Sequence, residues 1–466
     1  MMDLNPPGPV PWICRTLERA GFETWAVGGA VRDGLAGRRT GDWDLTTAAP
    51  PGEIRKLFRR TVPIGIEHGT VGVLARDGTL YEVTTFRRDV ETSGRHAVVS
   101  FAETLDEDLA RRDFTINAVA WHPLRRHVHD PYGGVDDLRR GRLRTVGDPR
   151  ERFAEDYLRI LRALRFAGVF SLQVDPATWR ALVEAVPRMG VLSPERVREE
   201  LEKILSGDER PSASLSLYAA SGVLAFLYPE LDSLVGLSLG SKGGSPGRRM
   251  DAWSRSLLAV DAIPRARWSL RLTALLSRLG LPTGSAGAGE EGLPAPERGR
   301  RRAAALLKRL RSSNARIARV ADAVEWVVQP PPHDAPDQTL RRWLAGAGRE
   351  RLSDIGHVWI AESRVGGGPR QERLLILIRR LRRISASDTP LSVGELAFSG
   401  RDLIRMGYRP GRYFGDLLEA LLDLVLEDPA RNRRETLEAE ARRWIERCGI
   451  DAKNGINARE QGHGAR

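Results

Sequence analysis

The segment Gly28 to Thr47, GGAVRDGLAGRRTGDWDLTT, constrains this chain more than any other. The preceding TWAV is predicted as a strand ending at Gly28-Gly29, where missing side chains let backbone N–H groups approach a phosphate. AVRDGLAG then starts a helix whose N-terminus faces that phosphate. Further on, DWDL reads as a strand in which Asp42 and Asp44 point one way while Trp43 and Leu45 pack behind them. Two carboxylates on one face hold hard cations such as Mg²⁺, the ligand set that two-metal phosphoryl transfer needs. Gly-Gly alone is most often a turn, and Asp-x-Asp alone a solvated strand face or loop. Their order within one short segment points to a nucleotide-transfer site.

That order resembles the signature of the DNA polymerase β-type nucleotidyltransferase superfamily. With Arg32 and Asp33 included, it resembles in particular the class II tRNA nucleotidyltransferase and bacterial poly(A) polymerase family. The resemblance implies an α+β N-terminal nucleotidyltransferase head, a small mixed sheet with helices, followed by all-α neck, body and tail domains. It also implies two Mg²⁺ ions on Asp42 and Asp44, with Gly28, Gly29 and Arg32 on the triphosphate. In LYEVTTF, Glu82 lies between apolar strand residues, the position from which the superfamily supplies a third catalytic carboxylate; an ordinary strand glutamate facing water is the alternative.

Charge supports a polyanionic partner. The 466 residues carry a formal net charge of +12, with nearly all basic residues arginine, which favours RNA or DNA. Such a length holds several domains. The two cysteines, Cys14 and Cys448, match no metal spacing and suggest no disulfide framework. MMDLNPPGPVPWI has neither a basic n-region nor an apolar h-region, and no apolar run reaches the roughly 18 residues of a membrane span, so a cytoplasmic location without membrane contact is expected.

Residues 12–145 form the expected catalytic head, with strands at Thr24 to Val27, Trp43 to Leu45, Gly69 to Leu74, Leu80 to Thr85 and Ala118 to Trp121. VETSGRHAVV, Val90 to Val99, has neither helical nor strand period and reads as a flexible loop. Family members carry a loop here that bears on which nucleotides are added, often with Asp-Gly-Arg-x-Pro where this chain has Ser93-Gly94-Arg95-His96-Ala97. EDLARRDFTINAVAW starts as an acidic helix and ends as an apolar strand; its RRDFTINA resembles the family motif on triphosphate and ribose, which gives that role to Arg111 and Arg112. DPYGGVDDL, Asp130 to Leu138, is the expected turn from head to neck.

Residues 146–225 read as a helical neck. FAEDYLRILRALRFAG puts Phe153, Tyr157, Ile160, Leu161 and Leu164 on one buried stripe, with Asp156, Arg159 and Arg162 recurring beside it. EDYLR resembles the family's nucleobase-reading element. Asp156 accepts from an exocyclic amino group and Arg159 donates to ring acceptors, so the pair fits the edges that cytosine and adenine share. Arg162 is grouped with these nucleotide contacts. Arg165 has drifted half a turn and meets phosphate or another helix. SPERVREELEKIL, from Ser193, starts with a Ser N-cap and Pro at N1 and supports the neck.

Residues 226–330 resemble an HD-type phosphohydrolase domain stripped of its ligands: Arg255, Ser277-Arg278 and Pro294-Ala295-Pro296 stand where relatives carry His, His-Asp and Gly-His-Glu. Neither metal nor hydrolase activity is expected there. The glycine-rich stretches 236–247 and 284–292 read as surface loops. Residues 331–450 read as a helical tRNA-binding region, with helices at Leu340 to Leu344, Glu350 to Glu362, Gln371 to Ile384 and Tyr413 to Leu426, and residues 451–466 as a disordered tail. The implied activity is template-free addition of CCA to the tRNA 3′ end from CTP and ATP, with the acceptor stem and elbow of tRNA as partner. Enzymes that add only CC or only A, a poly(A) polymerase, and a non-catalytic RNA-binding protein are the alternatives. VPIGIEHGTVGVL, residues 62–74, has the form seen in the tRNA enzymes, and intact Asp42, Asp44 and Arg112 speak against a non-catalytic chain.

Overall fold

The computed structural model describes residues 4–93, 96–238, 250–282, 290, 292–366 and 369–449. Most of the expected loops at 236–247 and 284–292, and the tail from residue 451, lie outside them. Two compact units emerge, one of Met1–Val235 with Arg309–Ser312, the other of Gly236–Lys308 with Ser313–Arg466.

The first unit is built on strands β1 (Thr24–Val27), β2 (Asp44–Thr47), β3 (Thr61–Gly65), β4 (Thr70–Leu74), β5 (Leu80–Thr85), β6 (Arg87–Ser93), β7 (His96–Phe101), β8 (Ala120–His122) and β9 (His127–His129). Seven of them form one mixed sheet in the order β3-β4-β5-β2-β1-β8-β9. Only β2 and β5 pair in parallel; the other neighbours are antiparallel. Strand β1 is buried along its whole length, as its TWAV composition requires of a strand covered on both faces. Helices α1 (Pro9–Arg19), α2 (Gly29–Leu35) and α3 (Pro51–Leu57) supply Val10, Ile13, Val31 and Ile54 to the core on one side, with Trp43, Val71 and Trp121. On the other side Trp25, Val27 and Ala120 meet Leu105 and Leu109 of α4 (Leu105–Ala110). The α+β head of the sequence reading is therefore present, with β3 and β9 additional to the expected strands.

The stretch 90–99 is a correction: β6 and β7 pair antiparallel, with a register shift between Asp89 and Glu91. Backbone hydrogen bonds stabilise such a ribbon without any alternation of polarity, so its sequence carries no period; Gly94 and Arg95 lie outside the described residues. DPYGGVDDL bends as expected, and the Asp130 carboxylate accepts from the N–H groups of Gly134 and Val135 (2.8 and 2.9 Å) at the start of α5 (Gly134–Arg139).

The neck departs from the expected single helix. Helix α6 (Pro149–Glu155) stops, Asp156 takes an extended conformation (φ −153°, ψ 106°), and α7 (Leu158–Phe170) restarts. The Asp156 carboxylate accepts the N–H of Leu158 at 3.0 Å, a local alternative to continued helix. Phe153, Ile160, Leu161 and Leu164 are fully buried, while Tyr157 at the break is only half-buried. Helices α8 (Pro176–Ala185), α9 (Pro194–Gly207), α10 (Pro211–Ala220), α11 (Val223–Leu227) and α12 (Pro229–Asp232) follow in the same unit. Ser193 occupies the N-cap of α9, but its side chain makes no capping hydrogen bond.

The regular elements of the second unit are helices among its described residues, with one isolated bridge between Ser238 and Asp251. Asp337–Ala347, Leu352–Gly366, Pro369–Ser385 and Tyr413–Glu427 extend the four expected helices, and Gly407, with φ 93°, turns the chain ahead of the last of them. Within residues 226–330, Arg278 is partly buried and pairs with Glu362 at 3.0 Å.

Candidate active site

Gly28 closes β1 with φ 75° and ψ −139°, a conformation only glycine adopts without strain. A Cβ there would lie 3.2 Å from Asp44 Oδ2 and 3.7 Å from Arg112 Nη1, so the absent side chain lets a carboxylate and a guanidinium close on the peptide. Asp44 opens β2 opposite Val27. Asp42 corrects the sequence reading: it precedes the strand, is exposed, and lies outside the cavity lining, though near enough to repel Asp44. Strand β5 adds Glu82, one residue before Val83, which pairs with Leu45; parallel register thus sets Glu82 beside Asp44. Burial, then Asp42 and Glu82, push the Asp44 carboxyl up to about 6, with Arg112 opposing. Among the described residues no three metal-ligating groups already converge.

Asp44 and Glu82 line a cavity of about 470 Å³ together with Gly28, Gly29, Arg32, Arg111 and Arg112. The buried Asp108 carboxylate binds Arg111 Nε and Arg112 Nη2 at 3.1 Å each and also accepts the Arg87 N–H at 3.3 Å. Burial alone would raise its pKa, but the two guanidiniums hold it below the usual carboxylate range. Arg32 reaches from α2 to Asn117 Oδ1 (2.8 Å) and pairs with Asp33 at 2.7 Å. Asn117 in turn donates to Asp113, whose other oxygen accepts from Arg162 Nε at 2.6 Å.

Asp156, Arg159 and Arg162 line the same cavity. Both Asp156 oxygens accept from Arg196 of α9, at 3.2 and 2.7 Å. Arg159 donates to Glu155 and to the Arg152 carbonyl. Arg165 is the one residue of the expected nucleotide-binding set that stays off the cavity lining: its Nε donates to Glu200 of α9 at 2.7 Å, which ties it to a neighbouring helix. The site combines clustered carboxylates, a rigid set of arginines suited to a triphosphate, and a mixed acceptor–donor group suited to a base edge.

A family profile described as "Poly A polymerase head domain" matches residues 24–144, and one described as "Probable RNA and SrmB- binding site of polymerase A" matches residues 171–235. The CCA-adding enzyme of Geobacillus kaustophilus is 34% identical over 449 residues, covering 95% of this chain and 97% of that protein. The chain belongs to the CCA-adding enzymes. Among solved structures, that of the Bacillus stearothermophilus CCA-adding enzyme in complex with CTP aligns with a TM-score of 0.71 at 30% identity, over 95% of this chain and 99% of that one. The Thermotoga maritima CCA-adding enzyme complexed with tRNA shares the fold, with a TM-score of 0.58 at 20% identity over 95% and 97%.

Asp108, Asp113, Asn117 and Arg196 went unassigned in the sequence reading. Asp108 is four residues from Arg112 on a helical start, a spacing that signals an ion pair. Arg196 lies 40 residues from Asp156 and gives no local sign.

Proposed function

We propose that the chain builds or repairs the 3′-terminal CCA of tRNA from CTP and ATP without a nucleic-acid template, in the cytoplasm. The observation that carries this reading is that one cavity is lined by Asp44 and Glu82, by Arg32 and Arg112, and by Asp156 and Arg159. Asp44 and Asp42, with Glu82 beside them, are the groups to hold two Mg²⁺ ions. The donor set fits: Asp44 and Glu82 are hard oxygen donors set side by side, and Asp42 is near enough to help raise the Asp44 pKa to about 6, after burial. When bound, Mg²⁺ lowers the pKa of the primer hydroxyl and screens the charge of the departing pyrophosphate.

The chain's own residues do the rest. Gly28 and Gly29 admit the triphosphate against the backbone, and Arg32, Arg111 and Arg112 grip its oxygens in fixed positions set by Asp33, Asn117 and Asp108. Asp156 accepts an amino proton and Arg159 donates to a ring acceptor, which selects cytosine and adenine over guanine and uracil. Arg162 lines the same cavity, whereas Arg165 braces α7 from behind. The primer 3′ oxygen attacks the α-phosphorus, a new phosphodiester bond forms, and pyrophosphate leaves. We also assign the acceptor stem and elbow of tRNA as the partner, in keeping with the charge of +12 and with the tRNA complex of the Thermotoga relative. Likeness along nearly the whole chain to a curated CCA-adding enzyme favours this over a CC-adding, A-adding or poly(A)-adding activity.

The test is incorporation of labelled CTP and ATP, with Mg²⁺, into tRNA transcripts lacking CCA, lacking the final A, or complete. Addition of CCA to the first and A to the second is expected, with nothing on the third. Stopping at CC, adding only A, or long A tails on unrelated RNA would replace the reading with the corresponding alternative.

A further inference from the structure

Four arginines converge on two phenylalanine rings of the neck helix. Phe166 and Phe170 lie one turn apart on α7, with ring centroids 6.3 Å apart. The Arg32 guanidinium carbon is 4.7 Å from the centroid of each. Arg162 and Arg165 approach Phe166 at 5.2 and 4.3 Å, and Arg38 approaches Phe170 at 4.2 Å. Phe114 closes on Phe166 edge-on at 5.8 Å. Arg32 comes from α2 of the head, so its guanidinium is held on one side by head groups, Asp33 and Asn117, and on the other by the neck. It lines the cavity, and a guanidinium has five N–H donors, so the bonds to Asp33 and Asn117 leave some for a ligand.

Like-charged groups this close repel, and burial disfavours the charge of Arg32 further. An aromatic face answers both, since its negative quadrupole attracts a cation without neutralising it or occupying its N–H edge. A carboxylate in the same place would compete with the incoming triphosphate; a leucine would fill the space but offer the charge nothing.

We infer that Phe166 and Phe170 are positioning residues for the triphosphate, a cation–π seat on the neck that holds Arg32 of the head ready for phosphate. This rests on the reading of the cavity as a nucleotide site. It goes beyond it in making the strength of the phosphate grip depend on how the head sits on α7.

Phe170 is half-buried, so it tolerates exchange better than the buried Phe166. Phe170→Leu keeps apolar bulk and removes the ring; Phe170→Tyr keeps the ring. CTP binding is measured by titration calorimetry without tRNA, alongside kcat and KM for CTP and the melting temperature. Phe170→Leu is expected to weaken CTP binding and raise KM about three- to tenfold, with kcat within about twofold of wild type. Phe170→Tyr is expected to bind as wild type, and Phe166→Leu to repeat the loss, more strongly because three guanidiniums share that ring. Equal binding by Phe170→Leu and wild type, equal losses in the Leu and Tyr variants, or a fall in kcat at constant KM would each overturn the seat while leaving the nucleotide site intact. Failure of the wild type itself to bind CTP would remove the nucleotide reading and the seat with it.

Discussion

Asp44 is held as an anion at a cost to the fold, and replacing it should show this. Its carboxyl is pushed from an ordinary 3.8 to about 6 by burial and by the neighbouring Asp42 and Glu82. Each pKa unit corresponds to about 1.4 kcal/mol, so the two-unit rise sets a ceiling of about 3 kcal/mol; solvent in the open cavity reduces it to about 1–2 kcal/mol. The sign follows from proton binding. Between the unfolded and folded pKa the native state holds more protons than the unfolded one, so stability falls as pH rises from about 4 to 6, and the penalty is complete above that window. Asp44→Asn removes the charge in similar volume. Without divalent metal at pH 8 the variant should therefore melt higher than wild type, by roughly 2–4 °C for each kcal/mol in a unit of this size. The gap should narrow toward pH 4 and close below it, where the wild-type carboxyl is protonated in both states, and shrink in millimolar Mg²⁺, which removes the repulsion in the wild type alone. The variant should have lost nucleotide incorporation. Thermal unfolding at several pH values with EDTA or Mg²⁺ measures all of this. A variant less stable than wild type at pH 8 in EDTA, or a gap independent of pH, would refute the reasoning.

Three further outcomes are expected. Asp42→Ala, although its side chain lies off the cavity lining, should lower incorporation by on the order of a thousandfold or more while tRNA binding in a filter assay persists; retained activity would remove it from the metal set. Gly28→Ala forces a Cβ to within 3.2 Å of the Asp44 carboxylate at a φ of 75°, and should reduce kcat about ten- to a hundredfold by displacing Asp44 or Arg112, measured in single-turnover assays with an unchanged circular-dichroism spectrum. Asp108→Ala strands two guanidiniums at a buried site and should destabilise the protein by about 3–5 kcal/mol, and a denaturation midpoint close to wild type would show that the Arg111 and Arg112 pairs matter little.

Local chemistry was legible along the chain. Strands β1 and β5 begin and end where the sequence places them, because every side chain of β1 meets the core and those of β5 alternate between the core and an open face. The same holds for the helix from Tyr413, whose turn needs only Gly407 and Pro410 to form. The motif residues Gly28, Gly29, Arg32, Asp44, Glu82, Arg111, Arg112, Asp156, Arg159 and Arg162 all reach one cavity. Asp42 does not, since pairing with β1 begins at Asp44 and leaves the earlier aspartate on the approach to the strand.

Sequence by itself determined which groups are available: carboxylates in clusters, arginines in excess, glycines where a chain must pass close to phosphate. Tertiary structure alone decided how they are held. The helical period runs unbroken through Asp156, yet the helix breaks there because the carboxylate caps Leu158 and is gripped from α9 by Arg196, 40 residues away. Arg162 answers to Asp113 across 49 residues and Arg32 to Asn117 across 85. Such partners leave no mark in local patterning, because an ion pair or a ring face stabilises a charge by proximity in space, and folding alone sets that distance.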